Sequence, residues 1–249
     1  MLFLLSPSKT QKIGASHPRA SLPQLLDQTA LLLRDLKKLG ATEIAESMHI
    51  SSKLAQKTEE QYAALAVPPP HCSSSPALQV FQGSVFAQIE RASFTEEDWL
   101  FAQEHMRILS GLYGILRPLD RIQTHRLEMD WSYGGESLGQ FWRDHLERHI
   151  NLELQSARCP VIINLASLEY ARVLRQKRIG AKIVTIHFKE EKEGKRRTIA
   201  VHAKKARGAM ANYIIKNKIT TIDGLSRFTE LGYAHIPSAG DESTLFFLR

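Results

Sequence analysis

The stretch 110–129, SGLYGILRPLDRIQTHRLEM, carries charged side chains that could do chemistry among many apolar residues. The charged groups of interest are Arg117, Asp120, Arg126 and Glu128. Glycine permits backbone geometry that other residues avoid, and Pro118 fixes one dihedral, so we expect a stiff, half-buried loop that directs charges inward. The arginines could then bind an anionic ligand, or each could form a structural ion pair with a nearby carboxylate.

A second group of cations lies in a strongly basic part of the chain. Between Arg172 and Lys218 there are 15 basic and three acidic residues, whereas the whole chain has a net charge of +7. Here Lys204, Lys205 and Arg207 lie at the expected start of a helix, an end where the helix dipole favours anions. A bound anion would remove this conflict, so the pattern predicts nucleic acid or a phosphorylated small molecule as partner. A solvated basic face is the alternative.

Polar residues also follow two apolar runs that we predict to be buried strands. Residues 1–5 lead into SPSKT, and residues 161–163 lead into NLASLEY. The candidate ligand groups in these loops are Ser8, Lys9, Asn164, Ser167 and Glu169. Loops that leave buried strands often carry ligand-binding groups. The alternative is that Ser-Pro only ends the first strand and that a polar residue after the second only caps a helix.

The segment 42–65 resembles a helix-hairpin-helix DNA-binding motif. Helices are expected over 43–48 and about 52–65, with an apolar apex between them. That motif usually has glycines on both sides of the apex, where this chain has His49 and Ser51. Backbone N–H groups of such a hairpin can hold a phosphate. The residues expected to contact DNA are His49, Ile50, Ser51 and Lys53. A plain helical hairpin packed on the core is the alternative.

Periodic segments elsewhere predict the elements that support these groups. Helices are expected over 22–39, from Thr95 onward through a variant capping box, and over about 138–154. Strands are expected over 181–188, 196–202 and 244–248, the first two as a hairpin. Because helices and strands alternate irregularly, we predict one α/β domain over 1–249, with α+β as the alternative. A mixed sheet flanked by helices would form its core.

Composition and missing motifs exclude several classes of protein. The chain has 249 residues, 43% of them hydrophobic and 24% charged, and no apolar run long enough to cross a membrane. Its first residues, MLFLLSPSK, are typical of a buried strand and not of a signal peptide. Cys72 and Cys159 lie too far apart to suggest a metal site or a disulfide, which favours the cytoplasm. Nucleotide-binding and metal-binding motifs are absent, so we expect no cofactor and no metal.

Several of these stretches together resemble the bacterial YaaA family of peroxide stress proteins. The matching motifs are SPSKT, FQG at 81–83, LSGLYGILRPLD, RLEM, FW at 141–142, INLAS with Glu169-Tyr170, and KKARG. The resemblance runs nearly end to end and implies a single α/β domain of unusual fold in the cytoplasm. It also implies a role in the response to hydrogen peroxide that limits iron-fed damage, with double-stranded DNA bound through a basic cleft and the helix-hairpin-helix element. The chain departs from the family pattern at Ser84-Val85-Phe86, at His125 and at Leu168.

Two functions remain open from the sequence. The first is a protective DNA-binding protein whose anion-binding residues lie in the loops, the hairpin and the basic segment. These are Lys9, His49, Ile50, Ser51, Lys53, Arg117, Arg126, Lys204, Lys205 and Arg207. The second is an enzyme that acts on a phosphorylated or nucleobase-like substrate, with Glu128 or Glu169 as general base. Its candidate catalytic residues are Ser8, Lys9, Glu128, Ser167 and Glu169. Direct iron binding is disfavoured, because no set of clustered histidines and carboxylates is found.

Overall fold

Strands from distant parts of the chain form the core of the protein. The computed structural model describes residues 1–133, 135–157 and 161–249, so Cys159 lies outside the described residues. The strands are β1 (Leu2–Leu5), β2 (Ser75–Pro76), β3 (Met106–Ser110), β4 (Gly114–Leu116), β5 (Arg121–Ile122), β6 (Ser132–Tyr133), β7 (Glu136–Ser137), β8 (Val161–Asn164), β9 (Lys182–Lys192), β10 (Lys195–Arg197), β11 (Ala234–His235) and β12 (Thr244–Leu248). Over this described part of the chain, eight of them form one mixed sheet, which confirms the predicted α/β architecture.

The order of the strands places the loops after β1 and β8 side by side at the carboxyl ends of these strands. The order is β11-β12-β9-β8-β1-β3-β4, with β10 paired to β9. Strand β1 is parallel to β3 on one side and to β8 on the other, with Phe3 opposite both Met106 and Ile163. The chain therefore reverses its direction of travel across the sheet next to β1. In open α/β sheets such a reversal opens a crevice at the carboxyl ends of the strands, where ligands bind.

Helices flank this sheet. They are α1 (Leu26–Leu36), α2 (Ala41–Met48), α3 (Ser52–Ala64), α4 (Ala77–Val80), α5 (Glu96–His105), α6 (Leu138–Ala157), α7 (Leu168–Ala171), α8 (Ala200–Lys216) and α9 (Ile222–Ser226). The capping box predicted at Thr95 is confirmed, since its hydroxyl accepts from the Asp98 N–H at 3.2 Å and its own N–H donates to the Asp98 carboxylate at 2.9 Å. None of the described helices is both long and apolar enough to cross a membrane.

The first predicted helix is shorter than its run of leucines suggested. Helix α1 covers Leu26–Leu36, not 22–39. The residues before it are engaged elsewhere: Ser21 forms a bridge with Asp120, and the Leu22 carbonyl accepts from Arg117 at 3.2 Å. These long-range contacts fix residues 21 and 22 outside the helix, so tertiary contacts override the local pattern here.

The stretch 110–129 is not the single loop that its glycines and proline suggested. Strands β3 and β4 pair in antiparallel register, with Ile108 opposite Leu116 and Ser110 opposite Gly114. Both strands are fully buried. The glycines lie in and beside the tight turn between these strands, and the flanking apolar residues face the core. Only the part after β4 resembles the expected loop.

The basic segment also differs from its prediction. Strand β10 ends at Arg197, and α8 begins at Ala200, in a part of the chain that was expected to continue the hairpin to residue 202. The alanine-rich sequence favours helix. Lys204 therefore lies in the second helical turn, and the conflict with the helix dipole, which is confined to the first turn, is absent.

The helical hairpin predicted over 42–65 forms from α2 and α3, and His49 joins them in a left-handed conformation with φ of 52°. This is geometry that glycine adopts most readily, at a position where the DNA-binding motif has glycine. The N–H groups of His49 and Ile50 donate to the carbonyls of Glu46 and Ala45. The two residues therefore cannot hold a phosphate through these groups as expected. DNA binding by Ser51 and Lys53 stays a prediction.

Candidate functional site

The loops that follow β1 and β8 meet at the carboxyl edge of the sheet. The Ser167 N–H donates to the Ser6 hydroxyl at 2.8 Å, and the two serine hydroxyls lie 3.1 Å apart. Beside this junction lies a concave site of about 380 Å³, which we call the cleft. Its volume suits a small ligand and is too small for a duplex.

The cleft gathers most of the polar residues that the sequence predicted as site residues. Those that line it are Ser8, Lys9, Arg126, Glu128, Ser167, Glu169, Lys204 and Arg207. They come from four separate segments of the chain: the loop after β1, the segment before β6, the loop and helix after β8, and α8. Convergence of polar groups from separate segments in one concave cleft is typical of a ligand-binding site.

Lys204 and Arg207 line the cleft, whereas Lys205 does not. The two lining residues are three positions apart on α8 and so share one face of the helix, while Lys205 is turned about 100° away from Lys204. Lys205 is exposed. The expectation that all three cations act in one site is thus corrected by the phase of the helix.

Arg117 is also outside the lining of the cleft and belongs to a structural ion pair. Its guanidinium lies 2.9 Å from the carboxylate of Asp120, whose side chain is fully buried. The backbone N–H of Arg117 and the hydroxyl of Ser21 donate to the same carboxylate at 2.8 and 2.7 Å. Of the two interpretations of this stretch, the structural ion pair holds for Arg117, and the LSGLYGILRPLD half is not a wall of the cleft.

Asn164 has a structural role as well. Its side-chain amide donates to the Thr185 hydroxyl at 3.3 Å, and its side-chain oxygen accepts from the Ala166 N–H at 3.0 Å. These contacts fix the loop after β8 and so position Ser167. The hairpin residues His49, Ile50, Ser51 and Lys53 do not line the cleft either. The hairpin does contact the backbone of Arg126, a residue that lines it.

That contact is made by α3. The Tyr62 hydroxyl, buried on the core side of this helix, donates to the backbone carbonyl of Arg126 at 2.5 Å. Burial raises the pKa of Tyr62, so the phenol keeps its proton and remains a donor. The helical hairpin and the segment that carries Arg126 are therefore held together.

Glu128 neutralises two of the cations in the cleft. Its carboxylate accepts from Lys9 at 2.8 Å and from Arg126 at 3.1 Å. Gly111 allows this segment to approach, because a β-carbon at that position would lie 2.5 Å from the carbonyl oxygen of Leu127. The close packing explains why a glycine occupies the turn after β3.

Glu169, on α7, forms no ion pair with a cation in the part of the chain that the structure describes. One of its carboxylate oxygens is buried without a hydrogen bond, and the described residues form no ion pair with it. Burial raises the pKa of Glu169, and the negative charges of Asp130 and Glu128 raise it further, whereas the charge of Lys9 and a backbone hydrogen bond from Asp130 offset only part of this. A half-buried carboxyl with a raised pKa and a free oxygen can accept a hydrogen bond or a proton from a ligand.

Arg207, like Glu169, is half-buried and forms no ion pair within the described part of the chain. Its side chain is half-buried, and the described part of the chain offers it neither a hydrogen-bond acceptor nor a carboxylate. Burial lowers the pKa of its guanidinium, which shows that the charge is held at a cost in hydration. Lys204 beside it is exposed and has no ion-pair partner among the described residues either. A bound anion would compensate for the lost hydration.

Comparison with known proteins identifies the family. The profile of the family described as "Peroxide stress protein YaaA" matches residues 1–239. The chain belongs to the YaaA family. UPF0246 proteins of Saccharophagus degradans, Tolumonas auensis and Colwellia psychrerythraea are 37%, 39% and 39% identical to it over its full length and over 98–99% of their own. Membership in the YaaA family supports a role related to oxidative stress.

Some residues that line the cleft of this YaaA-family protein were not among the predicted site residues. They are Gln11, Gln82, Gly83, Val85, His125 and Tyr170. The FQG motif at 81–83, one of the stretches that carry the family resemblance, was the signal for the segment 82–85. His125 is buried, and its burial lowers the pKa to about 4, so the ring is neutral at physiological pH. It adds no charge to the cleft. The sequence marked it only as a position where the chain departs from the family pattern.

Replacing Glu169 by glutamine should raise the free energy of unfolding near neutral pH. Because the pKa of Glu169 is raised in the folded state, the ionised carboxylate disfavours folding above that pKa. The gain should shrink as the pH falls, since the carboxyl is then protonated in both the folded and the unfolded state. Urea unfolding of the variant and of the wild type, near neutral pH and in acid, measures both effects.

Glu128→Gln is the matched control for this measurement. Its carboxylate is paired with Lys9 and Arg126, so removing the charge should not stabilise the fold. A gain for Glu169→Gln that is equally large in acid, or a loss near neutral pH, would contradict the assignment of a destabilising charge to Glu169.

Proposed function

We propose that this protein protects the cell against hydrogen peroxide by binding double-stranded DNA. In this proposal it acts in the cytoplasm and limits the damage that intracellular iron feeds. The cations around the cleft hold phosphates of the DNA backbone, and the helical hairpin of α2 and α3 adds a second contact through Ser51 and Lys53. The family resemblance suggests this role, and the charge of the cleft supports it.

The observation that carries the proposal is the unpaired state of Arg207. Half-burying a guanidinium without a partner costs free energy, and an anionic ligand recovers it. Lys204 lies on the same face of α8 and extends the positive surface to the mouth of the cleft. A phosphate group fits this pair, because arginine binds phosphate oxygens in a bidentate manner and lysine adds a point charge.

Fluorescence polarisation with a labelled duplex tests the proposal. Wild-type affinity should fall steeply as salt rises, because binding to phosphates releases counterions. The double variant Lys204→Ala, Arg207→Ala should weaken binding about tenfold or more and reduce the slope of log K against log salt by about 1, because the pair holds one phosphate. An affinity that does not change with salt would contradict the proposal.

The matched control removes the same two residue types elsewhere. Arg148 and Lys177 are exposed and line a separate depression of the surface beside Glu147. Arg148→Ala, Lys177→Ala changes the net charge by the same amount. A similar loss of DNA affinity in this variant would mean that overall charge, and not the cleft, determines binding. Lys205→Ala offers a further comparison on α8 itself and should cost less than Lys204→Ala.

A second candidate function is an enzyme that acts on a phosphorylated or nucleobase-like substrate. The raised pKa of Glu169, in a cleft of small-ligand size, is the specific observation that favours it. Such a carboxylate can serve as general base, and the cations can stabilise developing negative charge. Turnover of a nucleotide or sugar phosphate, followed by NMR and abolished in Glu169→Gln, is the test. If a panel of such compounds stays unchanged after long incubation, this candidate fails.

A further inference from the structure

The charges of the cleft separate into a paired group and an unpaired group. Lys9 and Arg126 are satisfied by Glu128. Lys204 and Arg207 on α8, and Glu169 on α7, form no ion pair among the described residues, although the charge of Lys9 acts on Glu169 from a distance. The cleft therefore presents a cationic side and a carboxylate oxygen that the described residues do not pair.

A site that held only phosphate would not retain Glu169. A half-buried carboxylate repels an anion in the same cleft and pays for its own burial. Its presence is explained if the ligand carries a hydrogen-bond donor for Glu169 in addition to an anion for Arg207. The Arg126 Nε, also buried without a hydrogen bond, offers one further donor to a ligand oxygen or nitrogen.

We propose that the cleft binds a single nucleotide unit, with the phosphate on Lys204 and Arg207 and an N–H of the base on Glu169. A nucleotide combines an anion with a base edge that carries N–H donors. Its size suits a cleft of about 380 Å³, whereas a duplex does not enter. The nucleotide is either free or extruded from nucleic acid, and this second source rests on the proposed function.

Extrusion would explain how a duplex-binding protein can use so small a cleft. The Watson–Crick edge of a base is occupied in a duplex and becomes available to a carboxylate only when the base leaves the stack. Leu168 lies in the chain between two lining residues, Ser167 and Glu169, and its side chain is 80% exposed. An exposed apolar side chain between two residues that line the cleft is suited to contact the bases that remain stacked beside the extruded one.

The experiment uses 2-aminopurine, whose fluorescence rises when the base is unstacked and whose amino group donates hydrogen bonds. In the first arm, wild-type protein is added to saturation to a duplex that carries 2-aminopurine at an unpaired position. We expect a several-fold rise in fluorescence, and Glu169→Ala should lose at least half of it while polarisation shows that the duplex is still bound. Circular dichroism and thermal unfolding confirm that the variant is folded.

In the second arm, the probe is free 2-aminopurine riboside 5′-monophosphate. Wild-type protein should bind it, and both Arg207→Ala and removal of the phosphate from the probe should weaken binding at least tenfold. Ribose 5-phosphate should compete poorly, because it lacks the base. Binding in this arm without a fluorescence rise in the first supports the inference with a free nucleotide as the ligand.

Two results overturn the inference. One is the absence of a signal in both arms, and the other is competition by ribose 5-phosphate as strong as that by the nucleotide. Failure to bind any duplex would instead contradict the proposed function, and the second arm would still decide whether the cleft binds a nucleotide.

Discussion

Replacing Arg117 by alanine should lower the free energy of unfolding by about 3 kcal/mol. The guanidinium lies 2.9 Å from a carboxylate of Asp120 that is fully buried, and it also donates to the carbonyl of Leu22. Truncating one member of a buried ion pair leaves the other charge without compensation, which typically costs about 3–5 kcal/mol. The lower end applies here, because the Ser21 hydroxyl and a backbone N–H still donate to Asp120. Urea unfolding measures the loss.

Two further variants test whether the ion pair is the reason. Arg148→Ala removes an exposed arginine and should change stability by no more than about 0.5 kcal/mol. Asp120→Asn in the Arg117→Ala background should recover part of the loss, because the uncompensated charge is gone. If Arg117→Ala leaves stability intact and instead weakens binding to DNA, Arg117 belongs to the binding surface, as the sequence first suggested.

The sequence predicted where the cleft lies better than it predicted which residues line it. Polar loops after the apolar runs 1–5 and 161–163 identified both segments that meet at the sheet edge. This succeeds because buried parallel strands are apolar throughout, so the first polar residues mark their carboxyl ends. The order of the strands in the sheet is set by long-range packing, and neither run contains a signal that they are neighbours.

The distinction between Lys204 and Lys205 could have been made from the sequence if the start of α8 had been placed correctly. The predicted strand before α8 is too long, because it runs through the β-branched residues Thr198, Ile199 and Val201. Ala200 and Ala203 favour helix in the same segment. An earlier helix start gives the phase at once, since residues three apart share a face and adjacent residues do not. Element boundaries therefore decide which side chains can act together.

The role of Arg117 could not be decided from spacing. A basic residue on stiff backbone with an acidic residue three positions on is compatible with a ligand site and with an ion pair. Burial decides between them, and burial depends on Ser21 and Leu22, which approach from about a hundred residues away in the chain. The RLEM half of the stretch does line the cleft, because Arg126 and Glu128 lie where the chain passes the carboxyl ends of β1 and β8.

Close backbone packing positions the charged groups of the cleft, and a substitution at Gly208 can test this. This glycine lies inside α8, next to Arg207, and a β-carbon there would collide with the backbone carbonyl of Val85. Val85 also lines the cleft. Helix α8 therefore holds Arg207 in place only because residue 208 has no side chain.

Gly208→Ala should lower the free energy of unfolding by about 2 kcal/mol, although the same change inside a helix normally raises it. Helix propensity contributes about 1 kcal/mol in favour of alanine, whereas overpacking costs about 1–3 kcal/mol and is worst against backbone, which cannot rotate away. Gly139→Ala in α6 is the matched control, since the nearest neighbour to its β-carbon would be 3.5 Å away and the change should be neutral or stabilising. Because the clash separates α8 from the segment 82–85, we also expect Gly208→Ala to weaken duplex binding at temperatures where the variant is folded. If both glycine variants were equally stable, the close approach of Val85 to α8 would not be what fixes Arg207.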